Sequence, residues 1–486
     1  MLSKEKQIRN AGLYLLPVIA ANLFPLLTLP IFTRILSKED FGVWSLSLVY
    51  ATFANGIANF GLTVGYERNF FEYKEPYRVA GLLYSTLLFV IFSFTVGAVL
   101  TRIYSPPLSA WIIGSPDEAD VLFWSYCAVG VMGMKTYFLT YFKNTGNAKA
   151  FVWYTLDESI LGVILSLFMV AYLRIGLIGL IWSQLLASSI VFSVITYKFL
   201  RFLPPCFDLA ALRDSLKLSL PLTPRIFFGV IGSQFDKYML GLLNTVGGVG
   251  VYTIGQKMAN LVFTFMTAIQ NVFAPQVYRY MFEGGEDGGK LVGRYLTPFL
   301  YFSISVALVI SLFSEEIVKL VAPRSYDDAI DVVTILPMLY GTYFFGKQPQ
   351  LIFAKKTYLT SLLTLFSISI NIAMNIPFII RWGAIGAAWG TLLAGLISGG
   401  VSFWFSQHYY RISWEYGKIG WIFLIFFGSS TILIGLRHFG VSYEVRFLLK
   451  IIPISCYFFL GIQYKFVSKQ NIALLWKAVF PVKAEA

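Results

Sequence analysis

Apolar residues dominate this chain in long continuous runs rather than in alternation. The runs fall at 11–33, 41–65, 79–101, 121–142, 150–173, 175–197, 218–243, 247–271, 295–313, 332–353, 357–380, 382–406, 419–436 and 447–464. A run of about 20 apolar residues wound as a helix crosses a bilayer core of roughly 30 Å. The pattern therefore predicts fourteen transmembrane helices. A membrane β-barrel would show segments of about ten residues with alternating polarity, and these runs do not alternate. The first run follows Lys4, Lys6 and Arg9 as a signal peptide would, but it continues to Ile31 and Phe32, so it is expected to be a retained helix.

Composition sharpens this picture. Of the 486 residues 57% are apolar and 13% charged, against about a quarter charged in an ordinary soluble domain. Mean hydropathy is +0.69. The polar residues needed to cover several soluble domains are missing, which excludes a soluble enzyme, a disordered chain and a disulfide scaffold. The expected fold class is an all-α polytopic membrane protein. The net charge of +13 then concerns membrane orientation, and no nucleic acid is expected as a partner. Cys127, Cys206 and Cys456 lie far apart, and His408 and His438 lie near span ends. Neither set has metal-ligand spacing, so no metal site is expected.

Lysine and arginine placement orients the spans. With the N-terminus cytosolic, 23 of these cations fall in cytosolic segments, 10 in outer segments and five inside spans. This is the bias the positive-inside rule requires, and it predicts both termini in the cytosol. Lys450, near the start of the last run, is expected to snorkel outward.

The chain also repeats. The fourteen residues Arg174–Ala187 return at Arg381–Ala394, an offset of 207, with eight identities. Thr136-Tyr137-Phe138 returns as Thr342-Tyr343-Phe344 and Phe41-Gly42-Val43-Trp44 as Val249-Gly250-Val251-Tyr252, offsets of 206 and 208. A repeat of six spans keeps both copies in one membrane orientation, as in transporters with parallel repeats. Expected divisions are an N-terminal lobe at 1–205 (spans 1–6), a C-terminal lobe at 206–410 (spans 7–12), and an appended region at 411–486 with spans 13 and 14 and a cytosolic tail. Residues 207–217 read as an amphipathic linker helix. Two similar lobes suit alternating access.

Eight ionisable side chains lie inside the spans: Lys135, Asp157, Glu158, Arg225, Asp236, Lys237, Lys257 and Lys347. Each costs at least about 2.5 kcal/mol at a helix centre facing lipid, so each should meet a partner or water. Arg225 and Asp236 are eleven residues apart, on one helical face and about 16 Å apart along the axis. Pro221 and Pro224 break the helix just before Arg225, and a discontinuous helix beside a charge points to a site. Asp236 and Lys237 form an adjacent acid–base pair. Lys135 and Asp157 lie eleven residues either side of Gly146, where the span 4–5 hairpin turns, so they should pair at one depth, with Glu158 pointing elsewhere. Lys135, Asp157, Glu158 and Asp236 read either as structural pairs or as coupled to a proton or sodium ion. Arg34 closes span 1 on the outer side. If Arg34, Arg225, Lys237 and Lys257 converge, they make a positive cavity suited to phosphate or pyrophosphate. Gly284–Lys290 satisfies the spacing of a phosphate-binding loop, but Leu291 stands where a hydroxyl would hold magnesium and no strand precedes it, so no nucleotide is expected.

Leu27-Thr-Leu-Pro-Ile-Phe-Thr-Arg-Ile-Leu-Ser-Lys-Glu-Asp-Phe-Gly-Val-Trp-Ser45 resembles the first signature of the polysaccharide transporter family, the lipid-linked oligosaccharide (O-antigen) flippases. That family belongs to the multidrug/oligosaccharidyl-lipid/polysaccharide exporter superfamily. Ser233–Gly241 followed by Gly250-Val-Tyr252 resembles its span 7–8 pattern, with Lys237 where arginine is commoner, and Asn371, Asn375 and Gly383–Gly386 resemble its span 11–12 hairpin. The resemblance implies a flippase rather than an enzyme. It would move a glycan on undecaprenyl pyrophosphate from the cytosolic to the outer face of the bacterial inner membrane, for O-antigen, capsule or exopolysaccharide assembly. Membrane lipids and polysaccharide polymerase or assembly proteins are the implied partners, and Arg34, Arg225, Lys237 and Lys257 the implied cavity cations. No cofactor is implied, and coupling to an ion gradient is implied by analogy alone. The competing readings are a peptidoglycan lipid-precursor flippase, a multidrug exporter of the same superfamily, and a membrane-embedded glycan polymerase or ligase. The last would need a large catalytic outer loop, and none of the outer segments is long enough.

Overall fold

The computed structural model describes residues 4–73, 75–345 and 349–466. Helices joined by short turns make up nearly all of them, and no strand occurs among the described residues. Apart from the breaks described below, the described residues of the fourteen apolar runs fall almost entirely on helix. In order the helices are α1 (Lys4–Ile35), α2 (Lys38–Ala58), α3 (Leu62–Glu72), α4 (Pro76–Ile112), α5 (Ala119–Asn144), α6 (Ala148–Ser166), α7 (Leu177–Phe202), α8 (Leu209–Ser219) and α9 (Thr223–Leu243). There follow α10 (Val246–Glu283), α11 (Gly288–Leu312), α12 (Ser314–Val321), α13 (Ala329–Thr342), α14 (Pro349–Phe353), α15 (Thr357–Tyr409), α16 (Tyr416–His438) and α17 (Tyr443–Gln463). Among the described residues eight helical stretches are long and apolar enough to cross a membrane on those grounds alone, and α15 holds two of the predicted spans. The chain is an all-α, multi-pass membrane protein.

Four runs are interrupted. The 218–243 run passes through a 3-10 turn at Leu220–Leu222, which holds Pro221. The 41–65 run breaks at Phe60 and Gly61, both with positive φ, and the chain restarts as the helix α3. The 332–353 run leaves the α-helix at Tyr343, and Gln270 Nε2 donates to the freed Tyr343 carbonyl at 2.7 Å. Such a break is tolerated at membrane depth only when a neighbour satisfies the exposed backbone group. The run at 150–173 ends in a π-turn over Leu167–Tyr172.

The described chain forms two compact units, Met1–Thr253 and Ile254–Ala486, and the boundary falls inside α10. The first unit therefore holds α8, α9 and the start of α10 as well as the first six spans, so span 7 packs on α2. The lobe limits at 205 and 410 stand as a proposal about the repeat rather than about these units. The linker helix is present as α8. Asp208 caps it, accepting from Ala211 N at 3.0 Å, and its buried face of Ala211, Leu212, Ser215 and Ser219 seats it on α3 and α4. Asn69 Nδ2 donates to Ser215 Oγ at 2.9 Å there.

The repeat is written into the backbone. Gly176 (φ 78°, ψ −151°) and Gly383 (φ 56°, ψ −128°), 207 residues apart, share a conformation essentially confined to glycine. Each turns the chain into the helix that follows. In the first unit the other repeat motif meets its own copy. A Cβ on Gly42 would strike the Val246 carbonyl oxygen, and a Cβ on Gly250 would strike the Lys38 carbonyl oxygen. The two contacts exchange under a shift of 208 residues, so α2 and the start of α10 cross about a local two-fold axis.

In the second unit α16 and α17, the appended pair, pack on α11. Tyr301 and Tyr457 stack at 4.6 Å between centroids and trade hydrogen bonds: each hydroxyl donates to the other's carbonyl oxygen, at 3.2 and 2.6 Å.

Candidate functional site

The predicted Lys135–Asp157 pair is not formed. Lys135 on α5 pairs with Glu158 on α6 instead, and Ser188 Oγ on α7 donates to Glu158 Oε1 at 2.6 Å. Three helices thus meet at a buried, neutralised carboxylate. Matching depth held; the face did not. One residue moves a helical side chain by about 100°, so only one of two adjacent acids can face α5, and helix packing selects Glu158. Asp157, about 100° round the helix, is exposed and has no ion-pair or hydrogen-bond partner among the described residues. Ser188 carried no distinguishing signal in the sequence.

On α9, Asp236 is buried and accepts a hydrogen bond from the Tyr252 hydroxyl at 3.0 Å. The two span 7–8 motifs are therefore one structural unit: the acid of the first is held by the tyrosine of the second. Lys237 is half-buried, with Nζ 3.4 Å from Gln234 Oε1 one turn back. Arg225 lies in the first turn of α9, and its side chain is outside the described residues, as is Lys347. Arg34 is exposed in the last turn of α1 and donates to the Pro30 carbonyl one turn back. Lys257 is half-buried on α10, in the second unit. Of the expected cavity cations, then, Arg34 and Lys237 lie in the first unit and Lys257 in the second.

In the second unit Asn375 Nδ2 donates to the Asn371 carbonyl at 3.0 Å and lies 3.3 Å from Thr391 Oγ1, so the span 11–12 hairpin is tied by its own asparagines. An ionic cluster that the sequence did not reveal joins α12, α13, α16 and α17. Lys450, expected to snorkel, is 2% exposed, and its ammonium contacts both oxygens of Glu316 at 2.6 and 2.7 Å. A carboxylate within reach on a packed helix satisfies the charge better than a stretched stem does. Glu315 accepts from Lys319 at 2.7 Å and Arg446 at 2.8 Å. Burial pushes the Glu315 carboxyl up, but the bonds from Lys319 and Arg446 outweigh it and hold the group below the usual range. Asp331 binds Arg437 at 2.8 Å and His438 at 3.1 Å. Apart from Glu315–Lys319, an i,i+4 pair, these partners are distant in sequence, so no spacing rule points to them. In the Gly284–Lys290 segment, Lys290 is tied to Asp287 at 3.0 Å.

Comparison with known proteins places this architecture. The probable low-salt glycan biosynthesis flippase Agl15 of Haloferax volcanii is 23% identical over 257 residues, 52% of each chain. The present chain thus matches about half the length of that relative. The structure is similar to that of the lipid II flippase MurJ in an inward closed conformation (TM-score 0.65, 15% identity, 93% of this chain and 99% of that one). It is also similar to an inward-facing multidrug resistance MATE family transporter of the MOP superfamily (TM-score 0.58, 17% identity, 83% and 98%). At these identities the likeness establishes the fold. The sequence profile described as polysaccharide biosynthesis protein matches residues 8–281, more than half of the chain and both of the motifs joined by Asp236 and Tyr252. The chain belongs to the polysaccharide biosynthesis protein family.

Proposed function

We propose that the protein is a flippase that moves a polyprenyl-pyrophosphate-linked oligosaccharide from the cytosolic to the outer face of a bacterial inner membrane, for surface polysaccharide assembly. The observation that carries this reading is the family match over residues 8–281. The glycan flippase named among the relatives and a fold held in common with a lipid-linked precursor flippase and with exporters support it. Arg34, Arg225, Lys237 and Lys257 are the cations assigned to the pyrophosphate; a guanidinium binds phosphate oxygens through two parallel donors and an ammonium as a point charge. Both termini are cytosolic in this reading, and polymerase or assembly proteins receive the product. Lys135–Glu158–Ser188 is a structural lock, while Asp236 is the acid proposed to sense a proton or sodium ion.

The test is export in a cell lacking its own flippase, with lipid-linked glycans supplied one at a time. The expected result is that one glycan class reaches the surface while its cytosolic pool falls. Rescue of peptidoglycan precursor export alone would transfer the reading to the lipid-precursor branch. Drug resistance with no glycan export would transfer it to the multidrug branch.

A further inference from the structure

Asp157 occupies an unusual place. It is nine residues into α6, about 14 Å along the axis and so near the middle of a core of roughly 30 Å. Its neighbour Glu158 takes Lys135 and Ser188, leaving Asp157 without a partner among the described residues. A carboxylate at that depth against lipid costs about 2.5–3.5 kcal/mol, and an aspartate stem is too short to reach the interface.

The surroundings of Asp157 divide by depth. Trp153, Asp157, Ile160, Ile164 and Phe168 are all exposed, and at 100° per residue they form one stripe about 80° wide. Helices α1 and α7 cover other sides of α6 and leave this stripe open. Its outer part, Ile160 to Phe168, is purely apolar. Its cytosolic part pairs an indole face, with Trp153 65% exposed, and a free carboxylate one turn further in. The two are about 6 Å apart along the axis, the length of one hexopyranose residue.

We infer that Trp153 and Asp157 form a sugar-recognition strip on α6 that binds the glycan portion of the substrate as it enters from the cytosol. An indole face packs against the apolar C–H face of a pyranose ring, and an ionised carboxylate accepts charge-assisted hydrogen bonds from the hydroxyls of the next. Sugar hydroxyls also meet the hydration that Asp157 requires. A lipid acyl chain uses only the indole half of this pairing. The inference rests on the flippase reading only for the source of the sugar.

The experiment uses the purified full chain in lipid nanodiscs. The probes are short-chain polyprenyl pyrophosphates, either bare or carrying a hexose-, N-acetylhexosamine- or 6-deoxyhexose-terminated disaccharide. One charge-assisted hydrogen bond corresponds to about ten-fold in affinity. The parent should therefore bind at least one disaccharide probe about ten-fold or more tighter than the bare pyrophosphate. Asp157→Asn and Trp153→Ala should lose that gain and still bind the bare probe as the parent does. Asp157→Leu separates lipid from sugar. A lipid-facing stripe would accept leucine with the sugar gain intact, and this overturns the inference; loss of the gain with a melting temperature at or above the parent's supports it. A parent that prefers no disaccharide also overturns it. A parent that shows the sugar gain but moves no glycan in cells leaves the strip standing and removes the flippase reading.

Discussion

Thr253 Oγ1 donates to Ser45 Oγ at 2.9 Å, and the two residues stand 208 positions apart, at corresponding points of the internal repeat. The bond therefore lies on the local two-fold axis relating Gly42 over Val246 to Gly250 over Lys38. Backbones this close leave no room for a side chain, and each glycine faces an oxygen rather than a yielding chain end. Gly42→Ala and Gly250→Ala should each destabilise the protein by about 1–3 kcal/mol, the usual cost of overpacking. Because both open the same crossing, the double variant should lose less than the sum of the two. Thermal unfolding in detergent reads this directly, and unequal or fully additive losses would separate the two contacts.

The Lys135–Glu158 lock makes a prediction of opposite sign for neighbouring acids. Lys135→Ala strands a buried carboxylate and should cost about 3–5 kcal/mol, whereas the apolar pair Lys135→Met with Glu158→Leu should recover most of the loss. Asp157→Asn touches no partner and should stay within about 0.5 kcal/mol of the parent. A large loss in Asp157→Asn together with a tolerant Lys135→Ala would reverse the assignment.

The Glu315 cluster should respond to acid. Glu315 has a folded pKa below its ordinary 4.5, so the stability it contributes is complete above that value and is lost as pH falls through the lowered folded value. Melting temperatures of the parent and Glu315→Gln should differ at pH 6 and converge below about pH 4.5. A gap that widens on acidification would contradict the pairing with Lys319 and Arg446.

Orientation is checked by reporter fusions. Fusions after Lys149, Asp214 or Lys418 should report cytosol, and fusions after Lys38, Pro116 or Arg324 should report the outside. Reversed signals at two of these positions would refute the proposed topology.

Arg225 tests the pyrophosphate assignment. Arg225→Ala should abolish export at unchanged membrane abundance, and Arg225→Lys should keep part of it, because a point charge attracts phosphate without the bidentate fork. Full export by the alanine variant, measured as surface glycan per inserted protein, would make Arg225 structural.

What could be read from the chain alone was whatever depends on local composition and period. Bilayer thickness sets the length of an apolar run, so the described residues of these runs are almost all helical, and the glycines at 176 and 383 mark turns because no other residue readily tolerates that backbone. Self-comparison found the repeat whose copies meet at Gly42 and Gly250. The charged partners were a different matter. Depth along a hairpin follows from counting residues, which placed Lys135 level with Asp157 and Glu158. Facing depends on the rotation of each helix against its neighbours, which no local pattern encodes. Only tertiary packing gave Lys135 to Glu158, buried Lys450 against Glu316 and left Asp157 alone on an open face, because a membrane helix must satisfy each charge with whichever neighbour its rotation presents.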